Sequence, residues 1–245
     1  MIDKEQRAKE SLIVALDVDT REEALKLTQD LSPYAGCFKV GMQLFYSHGP
    51  EIIRLIKDQG VKVFLDLKLH DIPNTVGQAA RVLAGLGADI INVHASGGVA
   101  MMRQAAEAVR ERAYALAQPT PLVISVTVLT SMDLRVFNHE IGIPGTIQDK
   151  VREWAHMTQE AGLDGVVASP REIETIRQTC GPEFKIITPG IRPAWSAAGD
   201  QKRIMTPGEA IKQGASYIVV GRPITSNVEP IAAAQKIRSE IIEVL

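Results

Sequence analysis

Short apolar runs rich in Val and Ile recur along the chain, with amphipathic segments between them. The runs are LIVALDV (12–18), CFKVGM (37–42), VKVFLDLK (61–68), DIINVHA (89–95), PLVISVTVL (121–129), GVVAS (165–169), KIITPG (185–190) and SYIVVGR (216–222). None exceeds nine residues, the length of a strand buried on both faces. The intervening segments REEALKLTQDL (21–31), PEIIRLIKDQG (50–60), TIQDKVREWAHMTQEAG (146–162) and EPIAAAQKIRSEIIEVL (229–245) carry the helical period. In the second, Ile52, Ile53 and Ile56 mark an apolar face, and Gly60 suits the helix C-terminus. Eight strands alternating with helices form either an open doubly wound sheet or a closed (β/α)8 TIM barrel. The count of eight and a length of 245 residues favour the barrel. The turn after the first run, VALDVDTREEA, lacks the glycines of a dinucleotide-binding loop. No linker, composition break or internal repeat divides the chain, so one α/β barrel domain is expected over residues 1–245.

The ionic residues at the ends of the runs depart from this apolar pattern. Asp17 follows Val14, Ala15 and Leu16; Lys39 lies between Phe38 and Val40; Asp66 and Lys68 alternate with Leu65 and Leu67. Side chains two apart on a strand share a face, so the leucines would meet the outer helices and the charged pair would point into the barrel mouth. Strands 1, 2 and 3 would then bring Asp17, Lys39, Asp66 and Lys68 side by side. Unpaired, such buried charges cost several kcal/mol each, whereas an alternating array keeps all four ionised. A lysine between carboxylates should have a raised pKa and remain an ammonium, able to donate a proton. Asp71 adds a carboxylate in the following loop. The bland reading is a structural ion-pair network; placement at the C-terminal ends of barrel strands favours catalysis.

Two connections, 130–146 and 189–206, are longer than compact domains usually use, and both follow a strand. Glycine and arginine end the last two runs as Gly190 with Arg192 and as Gly221 with Arg222. Loops after strands 7 and 8 of such barrels frequently bind phosphate, glycine allowing close backbone approach and arginine supplying a charged fork. His94 and His70 lack metal-ligand spacing, and His94 is expected in a hydrogen-bonded structural role. Ser96, Ser125 and Ser169 lack a nucleophile-elbow context, while Met102, Trp154 and Trp195 are expected to pack or cover loops.

Composition narrows the classes. Lys plus Arg number 27 against 29 Asp plus Glu, a net charge of −2 that argues against a nucleic-acid-coating protein. No apolar stretch reaches the ~20 residues of a membrane span, and MIDKEQRAKES lacks the apolar core of a secretory signal. Cys37 and Cys180 are far apart, which excludes a disulfide scaffold or cysteine zinc site and suits a reducing cytoplasm. Three functional readings stay open on these grounds. One is a barrel enzyme whose lysine ammonium serves as the proton donor. The second is a sugar-phosphate lyase or epimerase whose Asp66 and Asp71 ligate Mg²⁺, and the third a catalytically silent phosphate-ligand sensor.

At DLKLHDIPNT (66–75) the chain resembles the bacterial type of the orotidine 5′-phosphate decarboxylase family. The resemblance runs over essentially the full length through ALD (15–17), KVG (39–41), NVHASGG (92–98), VTVLTS (126–131), TPGIR (188–192), GDQKRIMTP (199–207) and VVGRPIT (219–225). It implies a barrel homodimer that converts orotidine 5′-phosphate to UMP and CO2 with no metal or organic cofactor. Lys68 would protonate C6 and Asp66 would sit beside the leaving carboxylate, while Asp71 and Thr75 would reach into the partner's site. Asp17 and Lys39 would hold the ribose hydroxyls, and Thr130 would lie near the base. Arg192, Gln201, Gly221 and Arg222 would grip the phosphate under a closing loop, 189–206.

Overall fold

The computed structural model describes residues 3–196 and 205–245. Eight parallel strands close into a barrel in chain order: β1 (Leu12–Ala15), β2 (Cys37–Gly41), β3 (Lys62–Leu69), β4 (Ile90–His94), β5 (Leu122–Val126), β6 (Gly165–Val167), β7 (Lys185–Thr188) and β8 (Tyr217–Val220). The seam joins β1 to β8, with Ile13 opposite Val219. Each predicted run holds one strand, but several strands stop short of their run: β1 at Ala15 and β5 at Val126. Leu16, Val18 and Val128 beyond those ends are still buried, and the Leu16 amide still donates to Lys39 O at 3.0 Å, so the apolar runs outlast the regular strands.

Alternation along the strands sorts side chains into two layers. Ile13, Ala15, Cys37, Phe64, Ile90, Ile124, Ile187 and Val219 fill the barrel interior. Val14, Phe38, Leu65, Ile91, Val166 and Ile218, which point the other way, pack beneath the helices. On β2 and β3 the inward face starts apolar, with Cys37 and Phe64, and two residues later turns ionic, with Lys39 and Asp66. The chemistry is thereby confined to the C-terminal end. Both thiols are buried and free, and burial pushes Cys37 up to about 12 and Cys180 up to about 11, so neither is a nucleophile at neutral pH.

The helices begin where the sequence supplies caps. Thr20 Oγ1 accepts the Glu23 amide at 3.2 Å ahead of helix Arg21–Leu31, and Thr146 Oγ1 accepts the Asp149 amide at 3.0 Å ahead of helix Ile147–Glu160. Proline occupies the first helical turn of Pro73–Gly85 and Pro230–Val244. The helices outside the four named segments include Lys4–Ser11, ahead of β1, and Met42–His48, directly after β2. The first is largely polar and buries only Ala8 and Ser11, so its hydrophobic pattern is weak. It seats on Gly36, whose amide donates to Lys9 O at 2.7 Å and where a Cβ would lie 2.8 Å from Glu10 Cα. No helix among the described residues is long and apolar enough to cross a membrane.

The connection 130–146 contains a π-helical turn, Val136–Glu140, anchored by the buried Phe137. Asn138 Nδ2 ties it together by donating to Ile143 O at 2.6 Å and Gly145 O at 3.0 Å. The base of 189–206 is closed by a parallel bridge between Ile191 and Met205, with the Arg192 amide donating to Met205 O at 3.0 Å. Gln201 and the rest of 197–204 lie outside the described residues.

Candidate active site

The first three strands deliver four ionic side chains to one spot. Ala15 pairs with Lys39 and Gly41 with Asp66, so β2 carries its lysine between the end of β1 and the end of β3. Lys39 Nζ is 3.0 Å from Asp17 Oδ1 and 3.4 Å from Asp66 Oδ2, and Lys68 Nζ is 2.7 Å from Asp66 Oδ1. The expected array Asp17–Lys39–Asp66–Lys68 is therefore continuous.

Simple alternation predicted that Asp66 and Lys68 share a face, and the structure reaches that result by a less regular route. The β3–β4 register shifts between Leu65 and Leu69, and Lys68 sits at φ +53°. A non-glycine residue there costs about 1–3 kcal/mol, which the surroundings must offset. The Lys68 amide donates to Asn92 Oδ1 at 2.8 Å, and Asn92 Nδ2 donates to Asp66 Oδ1 at 2.6 Å.

Lys39 and Asp66 are 9% and 8% exposed, so solvent screens their interaction little. Burial pulls the Lys39 pKa down, but the charges of Asp66 and Asp17 outweigh it and leave the ammonium above its ordinary value. Burial likewise pushes Asp66 up, while Lys39 and Lys68, with hydrogen bonds from Lys68 and Asn92, hold it below the usual carboxylate range. A lysine between carboxylates thus behaves as expected at Lys39, and Lys39 and Asp66 are both ionised at neutral pH.

Opposite the charges lies an apolar wall. A cavity of about 200 Å³ is bounded by Lys39, Asp66 and Lys68 on one side and by Val126, Val128, Val167 and Pro189 on the other. Thr130 lines the same cavity. Gly221 follows β8 and comes close to the array: a Cβ there would lie 3.5 Å from Ala15 Cβ and 3.7 Å from Asp17 Oδ2. Arg222 beside it is exposed, whereas Arg192 is 8% exposed and donates from Nη1 to Ile191 O at 2.9 Å. Asp71 and Thr75 are exposed at the turn into helix Pro73–Gly85. Asp71 Oδ1 accepts the Ile72 amide at 2.7 Å, and no ion pair joins it to the array within the described chain.

The expectation for His94 needs correcting. Its ring makes no hydrogen bond among the described residues and instead tilts against His70, with centroids 5.5 Å apart. Burial first, then the His70 and Lys68 charges, lowers its pKa, so it is neutral at pH 7. Trp154 lines a neighbouring apolar cavity, Met102 is fully buried, and Trp195 lies under the Lys236 ammonium, 5.7 Å from the ring centroid. Two residues of the site escaped the sequence reading. Asn92 and Gly41 entered it only within the landmarks NVHASGG and KVG, with no role assigned to either. A Cβ at Gly41 would lie 3.1 Å from Lys39 Nζ and 3.4 Å from Asp17 Oδ1, so this glycine leaves room for the pair.

A closed parallel barrel with an alternating array of acidic and basic side chains at its C-terminal mouth defines a (β/α)8 enzyme. Residues 10–237 match the model of the orotidine 5′-phosphate decarboxylase / HUMPS family, and the chain belongs to that family. It is 57% identical over 234 residues to an orotidine 5′-phosphate decarboxylase of Moorella thermoacetica, covering 96% of this chain and 93% of that one. It is 55% identical over 238 residues to the protein of that name from Syntrophomonas wolfei, covering 97% and 100%. The crystal structure of orotidine 5′-phosphate decarboxylase from Lactobacillus acidophilus superposes with a TM-score of 0.82 at 38% identity, covering 95% of this chain and 99% of that one.

Proposed function

We propose that this chain decarboxylates orotidine 5′-phosphate to UMP and CO2, the step that completes a pyrimidine nucleotide. The observation that carries the reading is the Lys68 ammonium held 2.7 Å from Asp66 at the floor of the mouth cavity. The C6–carboxylate bond breaks heterolytically, CO2 leaves, and the electron pair stays on an sp² ring carbon with no conjugated sink. An ammonium fixed beside that carbon stabilises the pair and then transfers its proton to C6, giving UMP and a neutral Lys68 amine that solvent reprotonates. Asp66 pairs with the ammonium and lies beside the departing carboxylate. Asp17 and Lys39 hold the ribose hydroxyls, and Thr130 meets the base.

The metal-dependent alternative fits the donor set poorly. Both oxygens of Asp66 already face ammonium groups, at 2.7 and 3.4 Å, and Oδ1 also accepts from Asn92. A divalent cation would have to displace these donors and sit against two positive charges. Following the absorbance of orotidine 5′-phosphate tests all three readings together. Turnover that persists in EDTA and disappears in Lys68→Ala is expected; EDTA-sensitive turnover favours the metal enzyme, and binding without turnover the sensor.

Arg192, Gly221 and Arg222, with Gln201 from the closing segment 189–206, grip the phosphate. Remote binding energy of this kind aligns the reacting end and excludes water. Arg222→Ala is expected to lower kcat/KM by about 10²-fold or more, since a charged hydrogen-bond pair to phosphate is lost. An unchanged kcat/KM in steady-state assays would remove Arg222 from the phosphate site.

The active unit is a cytoplasmic homodimer in which Asp71 and Thr75 complete the partner's cavity. Their exposure, and that of Ile72 beside them at 66%, supports this, since a lone chain leaves an apolar side chain and a carboxylate at the mouth uncovered. Mixing inactive Asp71→Ala and Lys68→Ala proteins is expected to restore activity, because hybrid dimers contain one site with both residues intact. No recovery after subunit exchange verified by differential tagging would refute the shared site.

A further inference from the structure

The bent end of β3 depends on a residue of the neighbouring strand. We infer that Asn92 is a positioning residue for decarboxylation: its side-chain amide holds the Lys68 backbone in the left-handed conformation while fixing the Asp66 carboxylate that receives the Lys68 ammonium. The inference rests on the roles proposed for Lys68 and Asp66.

Asn92 is 1% exposed in the middle of β4, on the inward face that Ile90 opens, between the outward-packed Ile91 and Val93. A primary amide in a barrel wall is unfavourable unless its polar atoms are paired. Here both ends are used on the same catalytic pair. Oδ1 accepts the Lys68 amide at 2.8 Å, and Nδ2 donates to Asp66 Oδ1 at 2.6 Å. The circuit closes through the lysine itself, whose Nζ lies 2.7 Å from that same Asp66 oxygen. Asn92 therefore grips Lys68 at its backbone and, through Asp66, at its tip.

The register shift between Leu65 and Leu69 shows why the backbone grip matters. Ladder pairing is interrupted there, so the Lys68 N–H takes its acceptor from the Asn92 side chain. Lys68 at φ +53° holds a conformation that a non-glycine residue leaves readily unless its backbone is tied, and the Asn92 side chain supplies that tie. Asn suits this task through its length and its two ends. Asp offers no donor toward Asp66, Leu has neither polar atom, and Gln is one methylene too long for this geometry. Displacement of a reacting group by about 1 Å can cost 10²-fold in rate.

The test compares Asn92→Ala, Asn92→Leu and Asn92→Asp with the parent, using orotidine 5′-phosphate turnover, UMP affinity and circular dichroism. All three variants are expected to lose about 10²-fold or more in kcat, with KM and the UMP Kd within about threefold, because ribose and phosphate contacts lie elsewhere. Asn92→Leu separates positioning from packing: it fills similar space without either hydrogen bond. A leucine variant with kcat within about fivefold of the parent would overturn the proposal. So would equal losses in kcat and UMP affinity, or failure of both the alanine and leucine variants to fold, since each would mark a structural residue. Lys68→Ala, run alongside, keeps the two readings apart: its loss of turnover upholds the lysine's role whatever Asn92 does. An inactive parent would sink the functional reading, and this inference with it.

Discussion

Lys68→Ala is expected to reduce kcat by at least about 10⁴-fold while leaving UMP affinity within about tenfold of the parent. Two separable contributions are lost together. Removing one preorganised charge from a developing anion costs ~10²–10³-fold, and removing a positioned proton donor costs a further ~10²–10⁴-fold. Binding is expected to survive because the proposed ribose and phosphate contacts, Asp17, Lys39 and the loops after β7 and β8, are untouched. The backbone adds a second, stability-based expectation. Alanine at φ +53° inherits the strain of the native lysine, whereas glycine adopts that conformation freely. Lys68→Gly should therefore be as inactive as Lys68→Ala yet more stable by about 1 kcal/mol in urea melts. That combination would identify the native conformation as strain accepted for catalysis. An alanine variant with kcat within tenfold of the parent would remove Lys68 as the proton donor.

The barrel was legible because its strands are buried on both faces and read as uninterrupted apolar runs between amphipathic helices. Arg21–Leu31 matches its predicted span residue for residue, since Thr20 caps it and its apolar period is strong. The ends of β1 and β5 were less legible, because Leu16 and Val128 are buried beyond the last regular strand residue. Helix Lys4–Ser11 was missed because so few of its side chains reach the core. The four-charge array was legible because ionic residues inside apolar runs need a partner, and neighbouring parallel strands supply one. What composition and spacing could not show was how Lys68 turns toward Asp66. That depends on a register shift and on an asparagine 24 residues further along the chain.

His94 shows a second limit of the same kind. A histidine at the end of a buried strand suggests a hydrogen-bonded role, but its neighbour in space is another histidine, His70, delivered by the turn after β3. Sequence patterns identify which residues face inward, and they do so well here. They do not identify which polar atoms find partners, because that is set by distances between strands far apart in the chain.

Replacement of Asp66 is expected to damage both the proposed catalysis and stability. In Asp66→Ala the Lys39 ammonium, 9% exposed, keeps only Asp17; Lys68 loses its partner at 2.7 Å, and Asn92 loses its acceptor at 2.6 Å. Breaking a buried pair by removing one member costs about 3–5 kcal/mol, which for a chain of this length lowers Tm by roughly 10 °C. The loss has a defined pH window. Because the folded carboxyl titrates below its ordinary value, its contribution is fully present above the unfolded carboxylate pKa of about 3.9 and fades as pH falls through the folded value. Lys39, raised above its ordinary value, contributes below about pH 10.4 and loses that contribution as pH rises through its folded pKa. The stability gap between parent and variant in urea should therefore be widest between about pH 4 and 10 and narrow under acid. Asp66→Asn, which keeps the shape but not the charge, is expected to fold more readily yet still lose at least about 10²-fold in kcat. A gap unchanged between pH 7 and pH 3 would mean that Asp66 contributes shape alone, and the array would lose its electrostatic rationale.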